Sequence, residues 1–578
     1  MKQFTFMFID LHLFYRKVLT CFQNSVKYHL STKEEIRMKI KKLLSLSVLA
    51  LLLVLTSCTG GGNETPSGKK ELRLIKNADI MSLDSALATD EMSFEVLGSI
   101  NEGLYYIDGD GLEQPAMVES DTVSADGLVF TFKLKDAKWS NGDPVTAHDF
   151  VFAWRKLVDP KTASEYSFIA DTAGLKNAAK ISAGELPTTD LGVKALDDKT
   201  LEVTLERQVP FFKKVIAFGS FLPQNEKFVT EKGTDYAQNP ESILYNGPFK
   251  LVEWISGNSF KLEKNEQYWD NANTKIDTLS FKIAKDAQSA ALEFDTGAAD
   301  FVRITGEIVD KYRNDERLKV ALGGYMWFLS VNLEGVDELN NKNLTLAIAN
   351  AVDRTKLAEL ILKDGSQGAN YFVPEELAAS PTGKDFREDN GKGFFTEGPE
   401  KAKEYGKKAF EELNIDKLEL ELLFEDTDES KKVAEYIKAQ VEQNVEGLTL
   451  QLKSQPKKAR LQLQREGNYQ LALHRWGPDY PDPMTYLDMY VTGTSYNFGG
   501  YSSPEYDALI DKAVNGNLPV QERWEVMKEA EKVLLKDGQG PIPIYQVGQT
   551  TLWNPKVSGV IYRATGASYT YRFADIAK

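Results

Sequence analysis

Leu471-Ala-Leu-His-Arg-Trp-Gly-Pro-Asp-Tyr-Pro-Asp-Pro-Met-Thr-Tyr-Leu-Asp-Met-Tyr490 reads as a strand that runs into a stiff loop. Leu471, Leu473 and Arg475 alternate with Ala472, His474 and Trp476, the period of two expected of a half-buried β-segment. Pro478, Pro481 and Pro483 cannot continue a ladder, because each lacks an N–H and fixes its own φ. A rigid loop at a strand end therefore carries Asp479, Asp482, Trp476 and Tyr480. Loops held by a scaffold are common places for binding groups. On these residues alone two readings stand: a ligand site, or a proline-stiffened turn with solvated aspartates.

The N-terminal part reads as a targeting segment. Met38-Lys-Ile-Lys-Lys42 is a basic start and Leu43–Leu55 an apolar core too short to span a bilayer, which takes about 20 apolar residues. Leu55-Thr56-Ser57-Cys58 resembles the lipobox of bacterial lipoproteins. That resemblance implies diacylation of Cys58, removal of residues 38–57, and a flexible Gly/Ser-rich tether over 58–70. Residues 1–37 precede the signal. Lys33-Glu34-Glu35 has codons able to spell a purine-rich ribosome-binding site just before Met38, so Met38 is the expected start and 1–37 an untranslated extension.

Without the nine Lys/Arg and three Asp/Glu of residues 1–57, the 521 residues from Cys58 hold 60 basic and 82 acidic side chains, a net charge of −22. So acidic a surface argues against nucleic acid and anionic lipid heads as partners. The length implies more than one domain. Cys58 is the only cysteine in this span, so no internal disulfide is expected. Only His148 and His474 remain, which nearly excludes a Cys/His metal site.

Along the chain, Glu71–Lys76 reads as a first strand leading into an extended segment with Ile80. The spacing of Phe94, Leu97, Ile100 and Leu104 predicts a helix over 90–107. Gly127–Leu134 reads as hairpin strand. Thr146 is placed to cap a helix, with Asp149 as its capping-box partner and Phe150, Trp154 and Leu157 on its core face. Strands are expected at Leu418–Phe424, Leu448–Leu452 and Pro541–Tyr545.

Trp139–Arg155, WSNGDPVTAHDFVFAWR, resembles the signature of the large solute-binding proteins of bacterial peptide importers, extracellular solute-binding family 5. Tyr245–Phe249 (YNGPF), Tyr325–Asn332 (YMWFLSVN), Leu346–Arg354 and RWGPDYPDP follow in family order. Thr345 departs from the Arg that members commonly carry there. The resemblance implies an α/β, two-lobed periplasmic-binding-protein fold of type II. Lobe I would be residues 71–100, 222–320 and 545–578, an inserted domain 101–221, and lobe II 321–544.

It also implies a receptor without enzymatic activity or cofactor. Such a monomer, lipid-anchored on the extracytoplasmic face of the cell membrane, would capture oligopeptides between its lobes and deliver them to an ABC permease. Asp479 matches the aspartate that members use for the peptide's α-amino group. The main chains of Trp476, Gly477 and Ile80 would pair with the guest backbone, while Tyr325 and Trp476 line the cleft. Asp482 is expected to cap the Met484–Met489 turn, and His474 to be a packed strand residue. The alternatives are a related receptor for dipeptides, a peptide pheromone or haem, an adhesin lipoprotein, and a glycosidase using Asp479 and Asp482 as paired carboxylates.

Overall fold

The computed structural model describes residues 68–577 apart from 285 and 517. The proposed extension, signal, lipidated Cys58 and tether lie outside these residues. Among the described residues no helix is long and apolar enough to cross a membrane, and no group of three His, Cys, Asp or Glu side chains is arranged to hold a metal ion.

One 11-stranded sheet runs through the molecule. Its order is Leu448–Gln455, Leu418–Glu425, Leu471–Trp476, Leu318–Val331, Ile542–Trp553, Phe301–Ile304, Glu71–Lys76, Thr278–Ile283, Ser259–Lys264 and Phe249–Ile255, with Gln367–Gly368 beside the Ile542–Trp553 strand. The first three strands are parallel to one another. The helix between the first two of them in sequence, Asp428–Asn444, buries Val433, Ala434, Ile437 and Val441, the apolar stripe that the crossover helix of a βαβ unit lays on its sheet. At the other end, Glu71–Lys76 pairs in parallel with both neighbours, and Leu72 and Leu74 are fully enclosed.

Two long strands join these halves. Leu318–Leu322 pairs with Gly548–Leu552 in one half, and Met326–Leu329 with Ile542–Gln546 in the other. Between them the register shifts over Gly323-Gly324-Tyr325, and it shifts again between Trp327 and Phe328, opposite the strand-interior Pro543. Bulges are where a ladder tolerates a residue that cannot donate. The Pro543 carbonyl instead accepts from the buried Arg354 Nε at 2.7 Å. The chain is thus two-lobed, with the lobes connected by crossing strands.

A separate four-stranded antiparallel sheet, Val118–Val123, Val129–Leu134, Thr200–Thr204 and Val193–Asp197, lies within the segment expected to be inserted. Helix Ala147–Val158 packs on it through Phe150, Trp154 and Leu157, and Asp149 closes its N-terminus by accepting from the Thr146 N–H at 2.8 Å and the Trp139 indole at 3.2 Å.

The expected helix over 90–107 is corrected: it spans Glu91–Ile100, and Tyr105–Ile107 is a strand paired with Glu113–Pro115. The cause is distant in sequence. Asn246 of the YNGPF motif accepts from the Asn101 side chain and the Glu102 N–H and donates back to the Glu102 carbonyl, holding these residues extended. A Cβ on Gly247 would lie 2.7 Å from the Ile100 and Asn101 backbone, so only glycine permits the approach. Leu104 is buried, but in a loop rather than on the helix face.

Candidate functional site

The Leu471–Trp476 strand runs into a loop that contacts Tyr166, Phe211 and Gly566, residues far from it in sequence. The expected half-buried alternation is corrected: Leu471, Ala472, Leu473 and His474 are all buried, since the strand lies inside the 11-stranded sheet and is covered on both faces. His474 packs against Phe328, with ring centroids 4.3 Å apart, while Arg475 is exposed and lies over the Tyr325 ring at 4.9 Å. Burial, aided by Arg460, holds the His474 imidazole well below its usual range. It is a packed strand residue, as expected.

The loop beyond is pinned from within. The Trp476 indole donates to the Thr485 carbonyl at 2.9 Å, and the Asp479 N–H reaches Thr485 Oγ1 at 3.3 Å. The Tyr486 hydroxyl lies against the Gly324 carbonyl and 3.0 Å from that of Trp476, fastening this strand end to the crossing strand. Tyr325 packs directly over Gly477, where an added Cβ would lie 2.2 Å from the ring. Asp482 accepts from the Met484 N–H at 3.0 Å, the expected capping bond. It also forms a two-pronged ion pair with buried Arg523 at 2.7 and 2.8 Å, which no local pattern announces. Asp482 is therefore a committed structural anion.

Asp479 is different. Among the described residues no Lys, Arg or His nitrogen stands within 4.0 Å of it. Its side-chain partner is the hydroxyl of Tyr166, a residue of the segment expected to be inserted, at 3.1 Å. Tyr166 belongs to an aromatic group with Phe94, Phe168 and Phe218, and Trp476 meets Tyr496 edge-on at 4.8 Å. Asp479 itself is half-buried beside these rings, and the loss of solvent around its carboxyl group pushes it up to about 7 despite the Tyr166 bond. Asp488 is likewise pushed to about 7 by burial and by the charges of Asp479 and Asp482.

The same loop is gripped from outside. Tyr480 stacks on Phe211 at 4.9 Å, Lys214 Nζ reaches the Pro481 carbonyl at 3.3 Å, and the Gly566 N–H reaches the Pro478 carbonyl at 3.3 Å. Asp479 lines a cavity of about 70 Å³ with Phe94, Phe218, Lys214 and Arg563.

A sequence profile of the bacterial extracellular solute-binding proteins, family 5 (middle), matches residues 113–498. The chain belongs to this family. A dipeptide-binding protein of Lactococcus lactis subsp. cremoris is 32% identical over 93% of this chain and 100% of its own. Among solved structures, an oligopeptide ABC transporter substrate-binding domain from Bacillus anthracis is 42% identical. It covers 89% of this chain and 99% of its own, with a TM-score of 0.75. Peptide-bound OppA of Listeria monocytogenes is 35% identical, covering 89% and 100%, also with a TM-score of 0.75.

Within this family-5 chain, Asp479, Trp476, Gly477 and Tyr325 come together around one strand end. Ile80 follows the Glu71–Lys76 strand with its side chain in a buried cluster shared with Leu72 and Leu74. Its N–H donates to Asp79 Oδ1 at 2.8 Å. Asp79 also accepts from Trp254, Ser256 and the Gly257 N–H, which fixes the Ile80 segment to the neighbouring hairpin. Sequence reading missed Tyr166, Lys214 and Arg563, which stand in stretches without a motif.

Proposed function

We propose that this chain is an extracytoplasmic receptor that binds oligopeptides between its lobes and presents them to an ABC permease, without turnover. The observation that carries this reading is Asp479: a half-buried carboxyl group beside a cluster of aromatic rings, joined to a tyrosine hydroxyl and, among the described residues, to no cation. A peptide's ammonium group is the complement of such a site. A charge-assisted bond there is far stronger than the same pair in water.

The Trp476 and Gly477 main chain, continuing the strand, would add the guest as a further strand, with the Ile80 carbonyl as a partner from lobe I. Backbone recognition of this kind leaves the guest's side chains largely unread. Tyr325, held by Gly477 beneath it and Arg475 above it, would form one wall. In this reading the lobes are residues 71–100, 222–320 and 545–578 against 321–544, with 101–221 as the inserted domain. Closure about the crossing strands would enclose the peptide. Diacylated Cys58 would hold a monomer on the membrane surface.

Calorimetry with free and N-acetylated tripeptides and tetrapeptides tests the reading. Free peptides are expected to bind with one-to-one stoichiometry and acetylated ones far more weakly. Equal affinity for both would overturn the role of Asp479, and hydrolysis of the ligand would overturn the receptor.

A further inference from the structure

The cavity beside Asp479 holds a second, opposite charge that the proposed ammonium site does not use. Arg563 lies in its wall, on the loop between Ile561–Tyr562 and Tyr569–Thr570. Its guanidinium donates to Thr570 Oγ1 at 2.7 Å, the Ile107 carbonyl at 3.2 Å and the Ala567 carbonyl at 3.3 Å, all neutral acceptors. Its Nε is buried without a partner. Among the described residues no carboxylate stands within 4.0 Å of it. Glu95, whose charge also reaches Arg563, is committed to Lys76 at 2.7 Å and to Tyr571 at 2.6 Å.

Lys214, in the same wall, is bound to the Pro481 carbonyl and likewise to no described acid. Asp479, Arg563 and Lys214 thus face one small space without pairing with one another, and the rest of its lining is largely apolar. Arg563 and Lys214 are both half-buried, and half-buried cations without counter-ions leave room for a ligand to supply the missing charge.

Resting on the peptide-receptor reading, we infer that this cavity receives a carboxylate of the guest, held by Arg563 and Lys214 while Asp479 holds the ammonium. The space is about 70 Å³, and since one water needs about 10–15 Å³ it takes a side chain or chain end rather than a run of backbone. The adjoining cavity on the far side of Arg563 is lined by Asp108, Asp110, Glu376 and Asp385, which directs an anion toward the Asp479 side. The carboxylate has two sources: an acidic first side chain, next to the ammonium on Asp479, or the C-terminus of a short guest.

Calorimetry on the full protein with Glu-Ala-Ala and Gln-Ala-Ala, each as free acid and as C-terminal amide, separates them. Glu over Gln by about tenfold or more identifies the side chain, and acid over amide by that factor identifies the terminus. Either preference is expected to vanish in Arg563→Gln and to shrink in Lys214→Gln. Each preference is read as a ratio of affinities within one protein, so a general loss of binding in a variant cancels, and thermal melts close to that of wild type show that both variants are folded. The inference is overturned if wild type shows neither preference, or if both variants keep it. Failure of every peptide to bind wild type would instead overturn the receptor reading and this one with it.

Discussion

Tyr166 donates its hydroxyl to Asp479 at 3.1 Å, across 313 residues of sequence. With the Phe211–Tyr480 stack and the Lys214–Pro481 contact, this bond makes the 101–221 segment part of the site. It favours the ionised carboxyl, against the burial that opposes ionisation. Tyr166→Phe is therefore expected to raise the Asp479 titration further and to weaken peptide binding near neutral pH by about 1–2 kcal/mol. Calorimetry at several pH values checks both: the variant's affinity should recover at higher pH, which a merely structural loss would not do.

Asp479→Ala removes the charge itself. Deleting one partner of an enclosed charge pair typically costs about 2–5 kcal/mol, and that is the loss of peptide affinity expected here. The same substitution should leave the weak binding of N-acetylated peptides nearly unchanged. A comparable loss for both ligand types would mean that the loop had collapsed rather than lost its anion.

How much of this was legible before the fold was known follows the range of each interaction. The proline-rich loop, the capping box at Thr146 and the Asp482–Met484 cap are local, and residue order alone displays them. The Asp482–Arg523 pair is separated by 41 residues and the Tyr166–Asp479 pair by 313, and neither tyrosine nor arginine stands in a periodic or motif context. The misplaced helix end has the same origin. Residues 101–107 have helical spacing, but the side chain of Asn246, 145 residues from Asn101, satisfies their backbone in an extended form. Family resemblance carried the two-lobed fold further than periodicity alone could.

Arg523 and Asp482 show which acid beside the site is structural. Both are buried, and Arg523 also lies over the Phe211 ring at 5.0 Å. Arg523→Ala leaves Asp482 enclosed without its counter-ion and is expected to cost about 3–5 kcal/mol of stability by urea denaturation. Replacing both by apolar residues of similar volume should recover most of that loss, since the desolvation cost disappears with the charges.

Gly477 and Tyr325 are expected to behave as one unit. A methyl group at 477 has to displace the ring above it, so Gly477→Ala should weaken peptide binding and lower stability by about 1–3 kcal/mol, the usual range for overpacking. If the ring is the cause, Gly477→Ala placed on Tyr325→Ala should cost much less. A double-mutant cycle with a coupling energy near zero would show that the glycine serves the backbone instead.

Asp479 and Asp488 are both pushed up to about 7 from an ordinary 3.8, so the folded protein binds protons that the unfolded chain has already released. Their contribution to ligand-free stability is complete below about pH 4 and is lost as pH rises to about 7. The slope is at most about 1.4 kcal/mol per pH unit for each group. Because Asp488 feels the charge of Asp479, the two should titrate as a pair. Thermal melts between pH 4 and 8 should therefore flatten in Asp479→Asn. Peptide has the opposite effect on Asp479, since an ammonium group beside the carboxyl favours its ionised form. Peptide affinity should accordingly fall as pH drops below about 7, with proton release measurable from the buffer dependence of the binding heat. Affinity that stays level from pH 8 to pH 5 would place the ammonium elsewhere.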